Sequence, residues 1–194
     1  MEDNEMKQYR SAVENYAKNG VDYLFHNKGD KHALIILSNL FQNAQHKIRI
    51  AANRLFNDEV VNTSEYIESL KQFLDRKDTT LSILVSQRPT PEDFKTVSRE
   101  KTLYWMLFNH PAYRQGRIQI KDGGGKSFRD KDGQNVNFCT GDDRMFRLED
   151  NIEQRKAIAN FKDESFTKVL NGVFDLVYPK IQESVDLQAL FSEC

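Results

Sequence analysis

The sequence predicts an α/β fold, on three observations. Segments KIRIAA at 47–52, TLSILV at 80–85 and RIQIK at 117–121 read as strands, by strict alternation or aliphatic and β-branched content. The stretches between them carry helical periodicity and are long enough for crossovers. Val136 to Glu149 then places two alternating runs on either side of Gly141-Asp142-Asp143, the pattern of a tight antiparallel hairpin. Crossovers between parallel strands are right-handed. The expected architecture is a mixed sheet, a parallel βαβαβ unit followed by an antiparallel hairpin, flanked by helices.

Each element has its own signal. Met6, Tyr9, Val13, Tyr16 and Ala17 recur at helical spacing, and Gly20 supplies a stop. Val21 to Phe25 reads as an apolar elbow and 26–30 as a loop. Asp30 is placed to cap a helix over about 31–45, whose apolar residues cover so much of its circumference that it must be buried on more than one side. Thr63 or Ser64 can cap the next helix, with Tyr66, Ile67, Leu70, Phe73 and Leu74 in one stripe. Thr90-Pro91 followed by acidic residues is a strong helix start, and one helix is expected from there to Asn109, before Pro111. Residues 122–134 are loop by composition. In the hairpin, Phe146 and Leu148 are expected to face in, with Met145, Arg147 and Glu149 outward. Ala157 to Phe161 reads as a last strand. Asp163 caps a helix striped by Phe166, Val169, Leu170, Val173, Phe174 and Val177, and the tail holds one more short amphipathic helix. The chain divides into a helical extension at 1–29, a main domain at 30–180 and a tail at 181–194.

Composition narrows the function. Lys plus Arg number 28 against 29 for Asp plus Glu. Nucleic-acid binders usually carry a basic excess, so nucleic acid is not an expected partner. No apolar run is long enough to span a membrane, and the charged N-terminal residues do not resemble a secretory signal. Cys139 and Cys194 are too few and too far apart for a disulfide framework or a metal motif, and are read as reduced thiols in a cytoplasmic protein. No cofactor or metal is implied.

Candidate chemistry gathers at the hairpin. Asp142, Asp143 and Glu149 form an acidic group beside Arg144 and Arg147. Paired carboxylates can hold Mg²⁺ or act as acid and base, but Asp-Asp at a hairpin tip is also ordinary turn chemistry. Arginines can bind phosphate or carboxylate in bidentate fashion. Gly123-Gly124-Gly125-Lys126-Ser127 lacks the glycine spacing and following helix of a phosphate-binding loop. The aromatic segment around Trp105 reads as core.

Taken together, several stretches resemble the phospholipase D-like fold over about 45–180. IRIAANRL is similar to that family's opening strand, SEYIESLKQFLDRKDTTLSILVSQ to its helix and second strand, and AIANFKDESFTKVLNGVFDLVY to its closing strand and helix. The hairpin VNFCTGDDRMFRLE falls where the family carries its His-x-Lys motif. Histidine suits that chemistry because it can attack and then protonate a leaving oxygen near neutral pH. Here the strand reads Asn137-Phe138-Cys139, without His or Lys. The formal match His26-Asn27-Lys28 lies ahead of the first family strand, where the family has no catalytic residues. The resemblance therefore implies a divergent member without the catalytic motif, acting by binding or assembly as a homodimer or as a subunit or regulator of a larger complex. The flanking segments 1–24 and 181–194 are the expected partner surfaces. Asn137, Asp142, Asp143, Arg144, Arg147 and Glu149 are the candidate ligand-binding residues. Two alternatives stay open. One is a phosphodiesterase or nuclease using His26 with Lys28, or Asp142 and Asp143 with a metal. The other is a nucleotide or phosphate sensor.

Overall fold

A computed structural model describes residues 4–95 and 97–192. One mixed sheet organises the chain. Its strands are β1 (Phe25–Lys28), β2 (Lys47–Ala52), β3 (Thr80–Val85), β4 (Ile118–Asp122), the two-residue β5 (Phe128–Arg129), β6 (Asn135–Gly141), β7 (Met145–Asn151) and β8 (Lys156–Asn160). Their order is β1-β8-β7-β6-β2-β3-β4, with β5 paired to β6. β2, β3 and β4 are parallel. From β6 outward every pairing is antiparallel, including the joint between β2 and β6. The expected βαβαβ unit and hairpin are both present.

Helices cover both faces. On one lie α1 (Asn4–Asn19), α2 (Asp30–Asn43), α3 (Ser64–Asp75), α4 (Leu103–Asn109), α5 (Pro111–Arg114) and α7 (Leu187–Ser192); on the other lies α6 (Glu164–Val177). Strand alternation divides the core accordingly. Ile48, Ile50, Ile83, Cys139 and Met145 point toward α2, and Ala51, Leu84, Phe138 and Phe146 toward α6. Ile36, Leu40 and Phe41 of α2 are fully buried, each contributing about 1.5–3 kcal/mol of apolar burial. Gly141 lets α2 come this close. A Cβ there would lie 2.7 Å from Met145 Cε and 3.0 Å from Leu40 Cδ2.

The structure departs from the sequence reading in five places; the smallest is β5, a two-residue strand paired to β6 inside the loop expected at 122–134. The elbow and loop before α2 contain β1, whose Phe25 and Asn27 are buried while His26 and Lys28 face solvent. Four residues of modest hydrophobicity make a weak strand signal, and pairing with β8 supplies the rest. Asp30 does not cap α2; Gly29 holds that position, and the Asp30 carboxylate meets Arg155 at 2.6 Å.

The helix expected from Thr90 to Asn109 is broken into 3-10 turns at Pro91–Phe94 and Arg99–Lys101, followed by α4. Asp93 accepts hydrogen bonds from the Thr90 backbone and hydroxyl and pairs with Arg54, while Phe94 is buried against Phe56 and Phe191. Thr102, in extended conformation, then starts α4 by accepting the Trp105 N–H. Tertiary contacts have overridden a good local start signal.

Finally, Met145, Arg147 and Glu149 do not face outward. All three are buried, because the face they occupy lies under α1 and α2.

α6 is fastened to its face by polar groups as well as by Phe174. Arg49, buried on β2, donates to the Asp175 carboxylate at 3.0 and 2.8 Å. The Thr140 hydroxyl donates to Asn171 at 2.6 Å. The Arg49 hydrogen bonds hold the Asp175 carboxyl below its ordinary pKa of 3.8. A depressed carboxyl stabilises the fold above its ordinary pKa and loses that contribution as pH falls through the lowered value. Asp175→Asn should therefore cost about 1 kcal/mol at neutral pH, discounted because Asp175 is half exposed. In urea titrations its deficit should hold down to about pH 4 and shrink below it.

Candidate functional site

A cavity of about 280 Å³ opens at the carboxyl end of β2. The order of the sheet places it there. β2 has a parallel neighbour on one side and an antiparallel neighbour on the other, and such reversals leave a crevice beyond the strand ends. The segment 53–61, directly after β2, forms one wall, with Ala33 and Leu37 of α2, Tyr66 of α3 and residues of β6 and β7 around it.

The floor is polar and internally bonded. Asn137 and Glu149 are direct cross-strand neighbours, as are Cys139 and Arg147. The Asn137 amide donates to Glu149 at 2.9 Å and its oxygen accepts the Asn53 backbone N–H at 2.9 Å. Arg147 donates to the other Glu149 oxygen at 3.1 Å. Both members of that pair are more than nine-tenths buried. Arg147 Nε has no hydrogen-bond partner among the described residues. The Tyr9 hydroxyl and the Asn27 amide, under the same helices, share that condition. Asn27 stands in line with Glu149 across β8, through Ala157. Burial pushes the Tyr9 phenol up, with the Arg147 charge acting the other way. Burial also pushes the Cys139 thiol well above its usual range, which leaves it a poor nucleophile.

The rim carries two ion-paired arginines. Arg54 and Arg155 line the cavity, and their acidic partners Asp93, Asp30 and Glu59 stand outside the lining. Of the three lining arginines only Arg147 meets the lining carboxylate Glu149; Arg54 and Arg155 are each paired with an acid outside the lining. Leu55, in the same wall, holds a left-handed backbone at φ 52, a conformation costing a branched residue about 1–2 kcal/mol. Its buried side chain helps retain it.

The six candidate residues separate into two groups. Asn137, Arg147 and Glu149 meet in the cavity. Asp142, Asp143 and Arg144 sit at the other end of the hairpin, about 17 Å along the strand at the usual rise per residue. There Asp142 accepts the backbone N–H groups of Gln45, His46 and Lys47 at 2.8–3.0 Å. Asp143 accepts from Asn171, and Arg144 donates to the carbonyls of Phe161 and Asn43. These contacts fasten the turn to the start of β2, to α6 and to the end of α2.

Among the described residues, no group of three His, Cys, Asp or Glu is arranged to hold a metal ion. His26 and Lys28 are exposed on β1, and His110 starts α5 by accepting the Ala112 N–H while facing Asp75 at 3.1 Å. Cys194 lies outside the described residues. Sequence reasoning missed Asn53, Arg54 and Arg155. The first two had a signal, since they follow a strand at its carboxyl end; Arg155 had none.

No protein-family model and no curated protein sequence matches the chain. Solved structures do. TrmBL2, an archaeal chromatin protein with a novel mode of DNA binding, aligns over 93% of this chain and 62% of its own at 16% identity, with a TM-score of 0.55. Nuc from Salmonella typhimurium, a phospholipase D family member, aligns over 83% of this chain and 97% of its own at 9% identity and TM-score 0.53. Phosphatidylserine synthase of Haemophilus influenzae aligns over 86% of this chain and 40% of its own, at 14% identity and TM-score 0.52. The chain has a phospholipase D-like fold. It spans less than two thirds of TrmBL2 and of the synthase. Among the described residues, no helix is long and apolar enough to cross a membrane.

The buried Arg147–Glu149 pair predicts a clear mutational pattern. Arg147→Met leaves a buried carboxylate and should cost about 3–5 kcal/mol. Arg147→Met/Glu149→Gln removes both charges and should recover much of that loss, giving a non-additive cycle in urea denaturation.

Proposed function

We propose that this chain is a phospholipase D-like module that acts by binding or assembly and does not cleave phosphodiesters, with the cavity at the end of β2 as its ligand site. The observation that carries this reading is the cavity floor. Asn137 and Arg147 are each hydrogen-bonded to Glu149, and no imidazole stands among the lining residues. Phosphodiester cleavage by this fold asks for a nucleophile that can also return a proton near neutral pH. Asparagine and a buried arginine do neither, and the Cys139 thiol is held protonated.

The same floor suits recognition. A desolvated guanidinium lining the cavity, under a rim with two further arginines, favours a small ligand carrying a phosphate or carboxylate. Glu149 offsets part of that charge, which favours a ligand that also presents hydroxyl or amide donors. The volume is at the lower bound of ordinary small-molecule pockets.

A second reading has one observation behind it. Nucleic acid was set aside on the charge balance, yet TrmBL2, a protein of this fold, binds DNA. DNA therefore belongs among the ligands tested.

The test is a thermal-shift series with inorganic phosphate, mononucleotides, small hydroxy-carboxylates and duplex DNA, run beside hydrolysis of a generic phosphodiester with and without Mg²⁺ or Mn²⁺. A ligand at a hundredfold its dissociation constant adds about 2.7 kcal/mol, or about 5–10 °C for a domain of this size. The shift should vanish in Arg147→Met/Glu149→Gln. Metal-dependent turnover lost in Glu149→Gln would overturn the proposal.

A further inference from the structure

The face of α6 turned away from the sheet is apolar. Val169, Val173 and Leu176 are 58%, 43% and 64% exposed, and they are three of the six large hydrophobic residues so exposed among the described residues. They follow one another at spacings of four and three, the repeat of a helix-pairing seam, while Phe166 packs inward against Phe146. The inner face of the same helix, Thr167, Leu170, Asn171 and Phe174, is already used against the sheet. Core packing therefore accounts for only half of the stripe. Gly172 adds to the outer face: a Cβ there would meet nothing within 4 Å, so the backbone beside Val173 is open to close approach.

We propose that α6 pairs with α6 of a second copy of this chain, antiparallel, about a two-fold axis near Gly172 and Val173. Two properties of the seam select a second copy as its occupant. The first is self-complementarity. Antiparallel pairing brings Val169 against Leu176 of the second copy and Val173 against the open backbone of Gly172, which is the isologous arrangement of a two-fold interface. The second is charge. Glu164, paired within its own helix with Lys168 at 3.1 Å, opens the helix and Lys180 follows its end, so antiparallel pairing sets Lys180 beside the Glu164 carboxylate of the second copy. Parallel pairing would set like beside like.

α6 lies on the face opposite α2. The two modules therefore pair back to back and leave both cavities open. Nothing in this inference rests on what the cavity binds.

One pair of helices of about 21 Å gives an interface below the usual size for stable complexes, so the dimer is reversible, with a dissociation constant of about micromolar order.

Sedimentation velocity on the full chain, over a roughly hundredfold range of concentration around that value, should show a monomer passing to a dimer. Val173→Glu should leave the far-ultraviolet circular dichroism spectrum and the melting temperature of the dilute protein unchanged and weaken dimerisation at least a hundredfold. Leu176→Glu, at the most exposed position, is the second variant. Lys180→Glu should weaken the dimer several-fold, and Lys180→Glu/Glu164→Lys should restore it. A chain that stays monomeric throughout overturns the proposal. So does a dimer that both glutamate variants leave intact, or binding of anionic vesicles by a monomer through the same residues.

Discussion

The pairing of β2 with β6 is the constraint on which the rest of this fold depends. It is the joint where parallel crossovers give way to hairpins, and it is buried on both faces. Two-sided burial explains features that otherwise look unrelated. Gly141 is small because α2 passes directly over it. Arg49, a charge in the middle of the sheet, is tolerated because Asp175 of α6 meets it with two hydrogen bonds. Thr140 reaches α6 through Asn171. Asp142 takes a left-handed turn because its carboxylate gathers three N–H groups at the start of β2. Each device holds one end or one face of the same joint. The cavity is what remains at its other end, where β2 runs out and the neighbouring strands diverge.

This layout explains which parts of the structure were legible in the sequence. The parallel strands could be read because a period of two survives even when both faces are covered; Ile48 and Ile50 alternate with Arg49 and Ala51. The helix after Asp163 could be read because its cap bonds the Phe166 N–H as expected. The facing of β7 was misread for a physical reason. Charged residues at alternate positions ordinarily mark solvent, and nothing local distinguishes a solvated Arg147 from one that is desolvated and bonded to Glu149. The same ambiguity joined the two halves of the candidate site. Asp142, Asp143 and Arg144 are adjacent in sequence to Arg147 and Glu149, but a strand carries them to the other end of the sheet. Proximity in sequence suggested one site where the fold makes two, a fastening and a cavity.

The broken crossover before β4 teaches a related lesson. Thr90, Pro91 and Asp93 form a sound helix start, and they do form one turn. What stops the helix is Phe94, whose ring fills the space between Phe56 and Phe191. Those partners lie far from it in sequence, so no local signal could report them. Phe56 also lines the cavity wall, and Asp93 holds Arg54 of its rim. The first turn of the irregular crossover is thus part of what shapes the site.

The chemistry of the floor carries the argument to its last step. A buried ion pair adds little net stability over an apolar pair of the same shape, because desolvating both charges offsets most of their attraction. Arg147 and Glu149 are therefore poorly explained as structural cement, especially with Arg147 Nε, the Tyr9 hydroxyl and the Asn27 amide left unbonded nearby. Buried polar groups in that condition are rare and call for a reason. The part of the Arg147–Glu149 pair that lines the cavity is where a polar ligand would give the pair a reason beyond stability. On that reasoning the floor offers fixed donors and acceptors in place of groups that transfer protons.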